Sequence, residues 1–421
     1  MHPFTYATTA TIFLALAGCG SGSTTDQGGS TAPTQPNQPT QPVQPTPPTL
    51  TLNATSQQTL AGGKTLTLTG ATDSSSAPSW QLAAGSVGSL SAASGASVRY
   101  TPPAQVAVNT QVAVTAMVGG VSKSVALTVF PDPGAPGLSI ISGRLNPDLL
   151  DGPDDGPLAA AHFRQSRATA SDVAGNLYVV GTCLVTQTRQ SGLTLRKIGI
   201  DGMVSTLASC ESNNWFGAPD TAHNLQKFDS PLGIAVDHAG NIYIGNLVWP
   251  SFNDRVIYKI SAQGVLSVLA GALGAHPAVM TDGSGANASF ITPTIVGIDG
   301  NDNLYVLDNN DWYAADNNHT VVRQIDAAGN VSTIAALPTS LTADQDGNTY
   351  RVDSTSGAVI RTTSAGVDST IANINTLPGI LPDRTISVVN LTRTGPVTYA
   401  LVVSDGNVFP NEAIVQLVVP H

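Results

Sequence analysis

The sequence predicts an all-β architecture in which a small β-sandwich precedes a β-propeller, and three observations predict it. An aspartate stands six residues before a tyrosine four times, at Asp172/Tyr178, Asp237/Tyr243, Asp299/Tyr305 and Asp344/Tyr350. The turns between them read Ala-Gly-Asn-Leu, Ala-Gly-Asn-Ile, Asn-Asp-Asn-Leu and Asp-Gly-Asn-Thr, and a hairpin repeated in this way marks a propeller or a solenoid. Ahead of the repeat, residues 50–130 alternate apolar and polar side chains in short runs, the period of half-buried antiparallel strands. Composition agrees, since 11% charged and 5% aromatic residues with 41 glycines and 28 prolines suit many short strands joined by turns. A chain of 421 residues also exceeds what one core ordinarily serves, so two or more domains are expected.

Acids outnumber bases by 28 to 17, a formal charge of −11, and all of them except Glu211 and Glu412 are aspartate. Aspartate serves turns, where its carboxylate bonds nearby amides. With no basic run, such a chain is repelled by phosphate backbones, and nucleic acid is not an expected partner.

At the N-terminus a short apolar run over residues 7–18, centred on Ile12, Phe13, Leu14 and Leu16, ends in Leu16-Ala17-Gly18-Cys19. It is too short to span a bilayer. The ending resembles the lipobox of bacterial lipoproteins, although no Lys or Arg precedes the run. That resemblance implies a signal peptide over residues 1–18 and acyl chains on Cys19 as the mature first residue, which hold a protein on a membrane almost irreversibly. Gly20 in place of Asp implies, by the same resemblance, sorting to the outer membrane. Residues 19–49 form a linker of Gly, Ser, Thr, Gln and Pro, with proline at every third position from Pro33 to Pro45. Such a segment buries nothing and favours an extended polyproline II spacer of about 3 Å per residue.

In the sandwich, residues 50–130, alternation is clearest in Thr65–Thr69, Val112–Ala116 and Val125–Val129, and Trp80 is its single tryptophan. Ala61-Gly62-Gly63-Lys64 and Tyr100-Thr101-Pro102-Pro103 resemble segments of bacterial immunoglobulin-like domains, in which Trp80 takes the place of the core tryptophan of the third strand. No cysteine is present to bridge the sheets, and the expected role of this Ig-like domain is spacing.

After the boundary Pro131-Asp132-Pro133-Gly134, residues 137–421 carry the repeat. Phe163, Phe228 and Phe290 each precede their tyrosine by 15 residues, so the first hairpin of a unit has one length. A second turn ends at Gly202, Gly264, Gly329 and Gly366, four residues after Ile198, Ile260, Ile325 and Thr362. With strands named a to d, the constant a–b and c–d turns share one pole. The b–c and d–a connections share the other, and their lengths vary, as expected of loops that carry function. A fifth, degenerate unit spans Val397–Val403 and Ala413–Val419 and lacks an outer strand, which Gly137–Gly143 is expected to supply, closing the ring and removing its free edges. Five blades are expected, with six as the alternative. Phe228-Asp229-Ser230-Pro231-Leu232-Gly233-Ile234-Ala235-Val236-Asp237 and Gly240-Asn241-Ile242-Tyr243-Ile244 closely resemble the NHL repeat. That family includes binding scaffolds and a few lyases and lactonases, so the likeness does not choose a function.

Candidate chemistry is sparse. Cys183 follows strand b of the first unit and Cys210 its strand d, and a disulfide is expected between them in an exported protein. The loop from Asp308 through Asn310, Asp311, Trp312, Tyr313 and Asp316 offers the oxygen ligands that calcium takes, but its spacing matches no calcium loop, so no cofactor is expected and calcium is the alternative. Trp215 and Trp249, with Trp312 and Tyr313, gather in the variable connections, where aromatic faces stack on sugars or clamp peptides. The histidines form no ligand ring, and His238 falls in an a–b turn, away from that variable pole. No nucleophile elbow, phosphate loop or catalytic carboxylate pair is present. Two readings follow. The favoured one is a non-enzymatic envelope lipoprotein whose variable pole binds a protein or glycan. The other is a hydrolase or lyase acting on a small substrate in the central channel, which requires Asp, His or Glu side chains to converge there.

Overall fold

The computed structural model describes residues 46–143, 155–163, 165–185, 190–210, 214–216, 218–219, 230–247, 254–274, 279–309, 320–338, 341, 346–353, 355–378, 380, 387–396, 398–404 and 412–420. Residues 47–421 form one compact unit.

The sandwich is built from β1 (Leu50–Leu52), β2 (Ser56–Leu60), β3 (Leu66–Thr72), β4 (Ser79–Leu82), β5 (Ser89–Leu90), β6 (Ser97–Thr101), β7 (Thr110–Val118) and β8 (Val121–Phe130). One sheet runs β1-β3-β6-β5 and the other β2-β8-β7-β4, the strand order of an immunoglobulin-like fold. Alternation explains the core: Leu68, Val98, Tyr100, Val112, Val114, Val125 and Leu127 point inward and are buried. Trp80, on β4, closes one end of that core and donates its indole N–H to Gly95 O at 2.8 Å. Strand β2 lies at a sheet edge and pairs only with β8, in parallel, from Ser56↔Ala126 to Leu60↔Phe130.

Among the described residues five sheets follow, one per blade. Blade 1 comprises Ser166–Ser171, Leu177–Val185, Gln190–Ile198 and Met203–Ser209 as strands a to d; blade 2 comprises Ser230–Val236, Ile242–Leu247, Val256–Ile260 and Leu266–Ala270. Blade 3 comprises Pro293–Ile298, Leu304–Asn309, Thr320–Ile325 and Asn330–Ile334. In blade 4 the described strands are b, c and d, at Thr349–Val352, Ala358–Thr362 and Asp368–Asn373. Blade 5 takes Ser387–Arg393, Thr398–Ser404 and Glu412–Val418 from the end of the chain and, as its outer strand, β9 (Gly137–Gly143) from the beginning. The register runs from Val418↔Gly137 to Ala413↔Gly143. This is the closure expected from the sequence, with five blades.

The seam between the last blade and the first is sealed by hydroxyl groups as well as by β9. Thr169 Oγ1 and Thr392 Oγ1 lie 2.7 Å apart, Thr392 also donates to Thr169 O, and Ser171 donates to Arg393 O at 2.6 Å. At the far end of the seam the amide of Ser166 donates to both carboxylate oxygens of Glu412 at 3.0 Å.

The aspartate-to-tyrosine spacing has a physical cause. Oδ1 of Asp237 accepts the amides of Ala239 and Asn241 at 3.0 and 2.8 Å, while Oδ2 takes Asn241 Nδ2 at 2.7 Å and the Tyr243 hydroxyl at 2.9 Å. Asp172 and Asp299 accept the same four donors in their own turns. Six residues is the distance at which strand b returns its tyrosine to the carboxylate that opened the turn. Burial, and then the hydrogen bond to Asp237, raise Tyr243 far above the usual tyrosine range. Tyr305 is pushed up to about 12 by burial and by Asp299 in the same way.

Candidate functional site

The inner strands of the blades wall a cavity of about 860 Å³ along the propeller axis. Its sides are lined by small side chains, with Thr169 and Ser171 from blade 1, Thr294, Val296 and Ile298 from blade 3 and Thr392 from blade 5; Arg167, Arg393 and Lys64 add cations and Asp172, Asp299 and Asp346 carboxylates. At the pole of the a–b turns the sandwich covers it, presenting Ser56, Gln58, Leu66, Thr67, Gln111 and Thr128.

The sandwich is therefore more than a spacer. Thr55 donates to Gly300 O at 2.5 Å, Thr128 to Val173 O at 2.9 Å and Asn109 Nδ2 to Ala174 O at 2.6 Å, each acceptor lying in an a–b turn. Lys64 reaches Asp346 at 2.7 Å, an exposed pair that contributes little. Leu60 and Phe130, at the end of the β2–β8 ladder, join a core cluster with Tyr350, Val359, Tyr399 and Val415 of blades 4 and 5.

One contact in this junction differs in kind. His238 Nδ1 lies 2.6 Å from Asp302 Oδ1, which also accepts the His238 amide at 3.1 Å, and His238 Nε2 is hydrogen-bonded to Ser56 Oγ. All three residues line the cavity. The imidazole and the carboxylate are 26% and 29% exposed, so the cluster is sheltered yet reachable. Asp302 departs from the repeat, whereas the position of His238 differs in every turn. In the position of His238 the other turns carry Val173, Gly300 and Gln345, and in the position of Asp302 they carry Gly175, Gly240 and Gly347. Gly175, Gly240 and Gly347 have φ of 91°, 80° and 77°, and Asp302 holds φ 62°, a conformation costing roughly 1–2 kcal/mol for a residue with a Cβ.

Other buried charges are structural. Arg323, fully buried, bonds Asp308 Oδ2 at 3.2 Å, Thr281 O at 2.7 Å and Asp282 Oδ1 at 3.0 Å, and lies over the Phe290 ring. Asp282 in turn accepts the amide and hydroxyl of Thr333 on strand d. Blade 1 repeats the clasp at the same spacings: Arg196 stacks on Phe163 and bonds Asp155, which accepts from Thr206. Two of the phenylalanines that meter the repeat, Phe163 and Phe290, are thus platforms for an arginine.

Of the residues singled out from the sequence, Asp308 is wholly buried. Burial pushes its carboxyl up, opposed by the amides of Thr292 and Ile291 and by Arg323. Trp215 is buried too, donating its indole N–H to Gly264 O at 2.7 Å and packing on Phe216. Both side chains are engaged in packing. Trp249, Asn310, Asp311, Trp312, Tyr313 and Asp316 lie outside the described residues, as does Cys19. Cys183 sits in strand b of blade 1, its side chain outside the described set. Among the described residues no group of three His, Cys, Asp or Glu is placed to hold a metal ion, and no helix is long and apolar enough to cross a membrane. Sequence reasoning missed the Ser56, His238 and Asp302 cluster. The available signal was Asp302, which replaces the glycine of the other three turns.

No known family profile matches the sequence, and no curated protein does either. Among solved structures the chain is similar to a Bacteroides thetaiotaomicron protein of unknown function, with 15% identity over 91% of this chain and 99% of that one and a TM-score of 0.28. It is similar to an auxiliary nutrient binding protein from the same organism, with 12% identity over 88% and 98% and a TM-score of 0.23. A third likeness is to a structure from work on GH130 mannoside phosphorylases and on glycoside hydrolases targeting β-1,2 mannosidic linkages, with 11% identity over 68% and 95% and a TM-score of 0.33. At these superposition scores none of the three assigns a family or an activity.

Proposed function

We propose that the protein is a lipid-anchored protein of the bacterial cell envelope, its propeller of the NHL type, that receives a small organic ligand in the propeller channel. The cavity of about 860 Å³ carries this reading, because it falls within the range of small-molecule sites and combines an apolar and hydroxyl-lined wall with a few polar groups at one end. With the sandwich over the a–b pole, the proposed entry is from the pole of the b–c and d–a connections, where Trp312 and Tyr313 fall in the sequence. A protein or glycan held there by these aromatic residues is a separate proposal, tested by partner recovery with both changed to Ala. Cys19, followed by the proline-rich linker, supports the anchor. The pairing of Cys183 with Cys210 is supported by the disulfide that holds Cys210, and by Cys183 standing opposite Gly192, next to the Leu193 whose carbonyl accepts the Cys210 amide.

Native mass spectrometry of the mature protein, extracted from the envelope in mild detergent, tests the channel. A retained molecule of a few hundred daltons is expected, and Thr294→Trp, which fills the channel from the blade 3 wall, is expected to lose it with the fold intact. Retention by the filled variant, or a parent chain that carries nothing, would remove the channel as a ligand site.

A further inference from the structure

We infer that Ser56, His238 and Asp302 form a hydrolytic site at the sandwich-covered end of the channel, acting on a small carboxylic ester. The carboxylate on Nδ1 places the imidazole proton there and leaves the Nε2 lone pair facing Ser56 Oγ. That is the order of contacts by which a histidine activates a serine, a constellation recognised by geometry rather than by fold. Three further observations point the same way. The two propeller members lie in the same kind of turn in adjacent blades and meet each other, and Asp302 stands where the other three turns carry glycine. Asp302 takes a left-handed backbone, φ 62°, at the position that glycine fills in the other three turns. Ser56 lies on an edge strand where Ala126 N donates to Thr55 O, which turns the Ser56 amide away from β8 and makes it a candidate donor to a developing oxyanion.

The chemistry balances within these groups and water. Ser56 Oγ bonds to the ester carbonyl carbon as its proton passes to His238 Nε2, and the carbonyl π pair moves onto oxygen. The tetrahedral adduct collapses, the bond to the alkoxy oxygen breaks, and the alcohol leaves with the proton from Nε2. Water then attacks the acyl-Ser56 ester, gives a proton to Nε2, and the acid departs as Ser56 Oγ regains that proton. Asp302 remains ionised and holds the imidazole in place.

This inference rests on the channel admitting a ligand, and the experiment separates the two. Full-length protein in detergent is treated with a fluorophosphonate and, separately, assayed with p-nitrophenyl acetate and butyrate. Expected are phosphonylation at Ser56, located by peptide mass spectrometry, and ester turnover that falls by about 10³-fold or more in Ser56→Ala and His238→Gln. Asp302→Asn is expected to lose about 10²–10⁴-fold and to shift the pH profile, because the amide no longer selects the tautomer. Ser56→Cys, alkylated by iodoacetamide in a His238-dependent way, covers the case in which alanine disturbs docking. A folded parent chain that neither labels nor turns over the esters, or labelling that survives in Ser56→Ala, overturns the site. A parent chain that carries no molecule in native spectra would count against the channel instead.

Discussion

Glu412 shows how a single residue ties the ring to solvent conditions. Burial pushes its carboxyl up to about 7, against the opposing bonds from Ser166 and the charge of Arg167. The protonated form is thus favoured by the fold, and between the ordinary value of 4.5 and about 7 the folded chain binds more protons than the unfolded one. Stability contributed here is greatest below that window and falls as pH rises through it. Glu412→Gln should therefore be more stable than the parent at pH 8, by about 1–3 kcal/mol, with the gap closing by pH 4. Thermal melts of both chains at several pH values check this, and a gap that widens on acidification would reverse the assignment. Asp299 behaves in the opposite sense. Burial opposes its charge, but the bonds from Asn303, Asn301 and Tyr305 prevail and hold its pKa below the ordinary value, so its support is lost only in acid.

Among elements, the clasp before each a strand separates two blades that are otherwise alike. In blade 3, Arg323 meets a fully buried Asp308; in blade 1 the position three residues after the tyrosine is Gly181, and the carboxylate that Arg196 meets is the half-exposed Asp155. Removing one partner of a buried pair strands the other, so Arg323→Leu should cost about 3–5 kcal/mol in chemical denaturation, and Arg196→Leu less. Adding Asp308→Asn to Arg323→Leu should recover part of the loss; if it recovers none, the stranded carboxylate is not the cause. Local hairpins such as these were legible in the sequence, because Asp237, Asn241 and Tyr243 meet across a few residues. The closing strand was legible as well, since Gly137–Gly143 has the pattern of the strand that the fifth unit lacks. The reactive cluster was not. His238 and Asp302 are 64 residues apart and Ser56 lies 182 residues from His238, so their meeting depends on blade packing and on docking of the sandwich, which no spacing rule encodes. The arginine clasp was equally hidden, although Phe163 and Phe290 already marked it.

For the whole molecule, the shared core around Leu60 and Phe130 predicts that sandwich and propeller melt together. Phe130 is buried among residues of blades 4 and 5. Calorimetry of the parent should show one main transition, whereas Phe130→Ala, at a cost of about 3–5 kcal/mol, should lower it or split it in two. Two independent transitions in the parent would mean that the docking seen here is energetically slight. Strand β9 also sets the order in which the molecule can be completed. It leaves the ribosome some 270 residues before the Glu412–Val418 strand that it pairs with. Until the C-terminal strand arrives, β9 has no native partner and the circle stays open, so a polypeptide released early presents raw sheet margins to its neighbours. Loss of only the last dozen residues should therefore harm this protein far more than their number suggests.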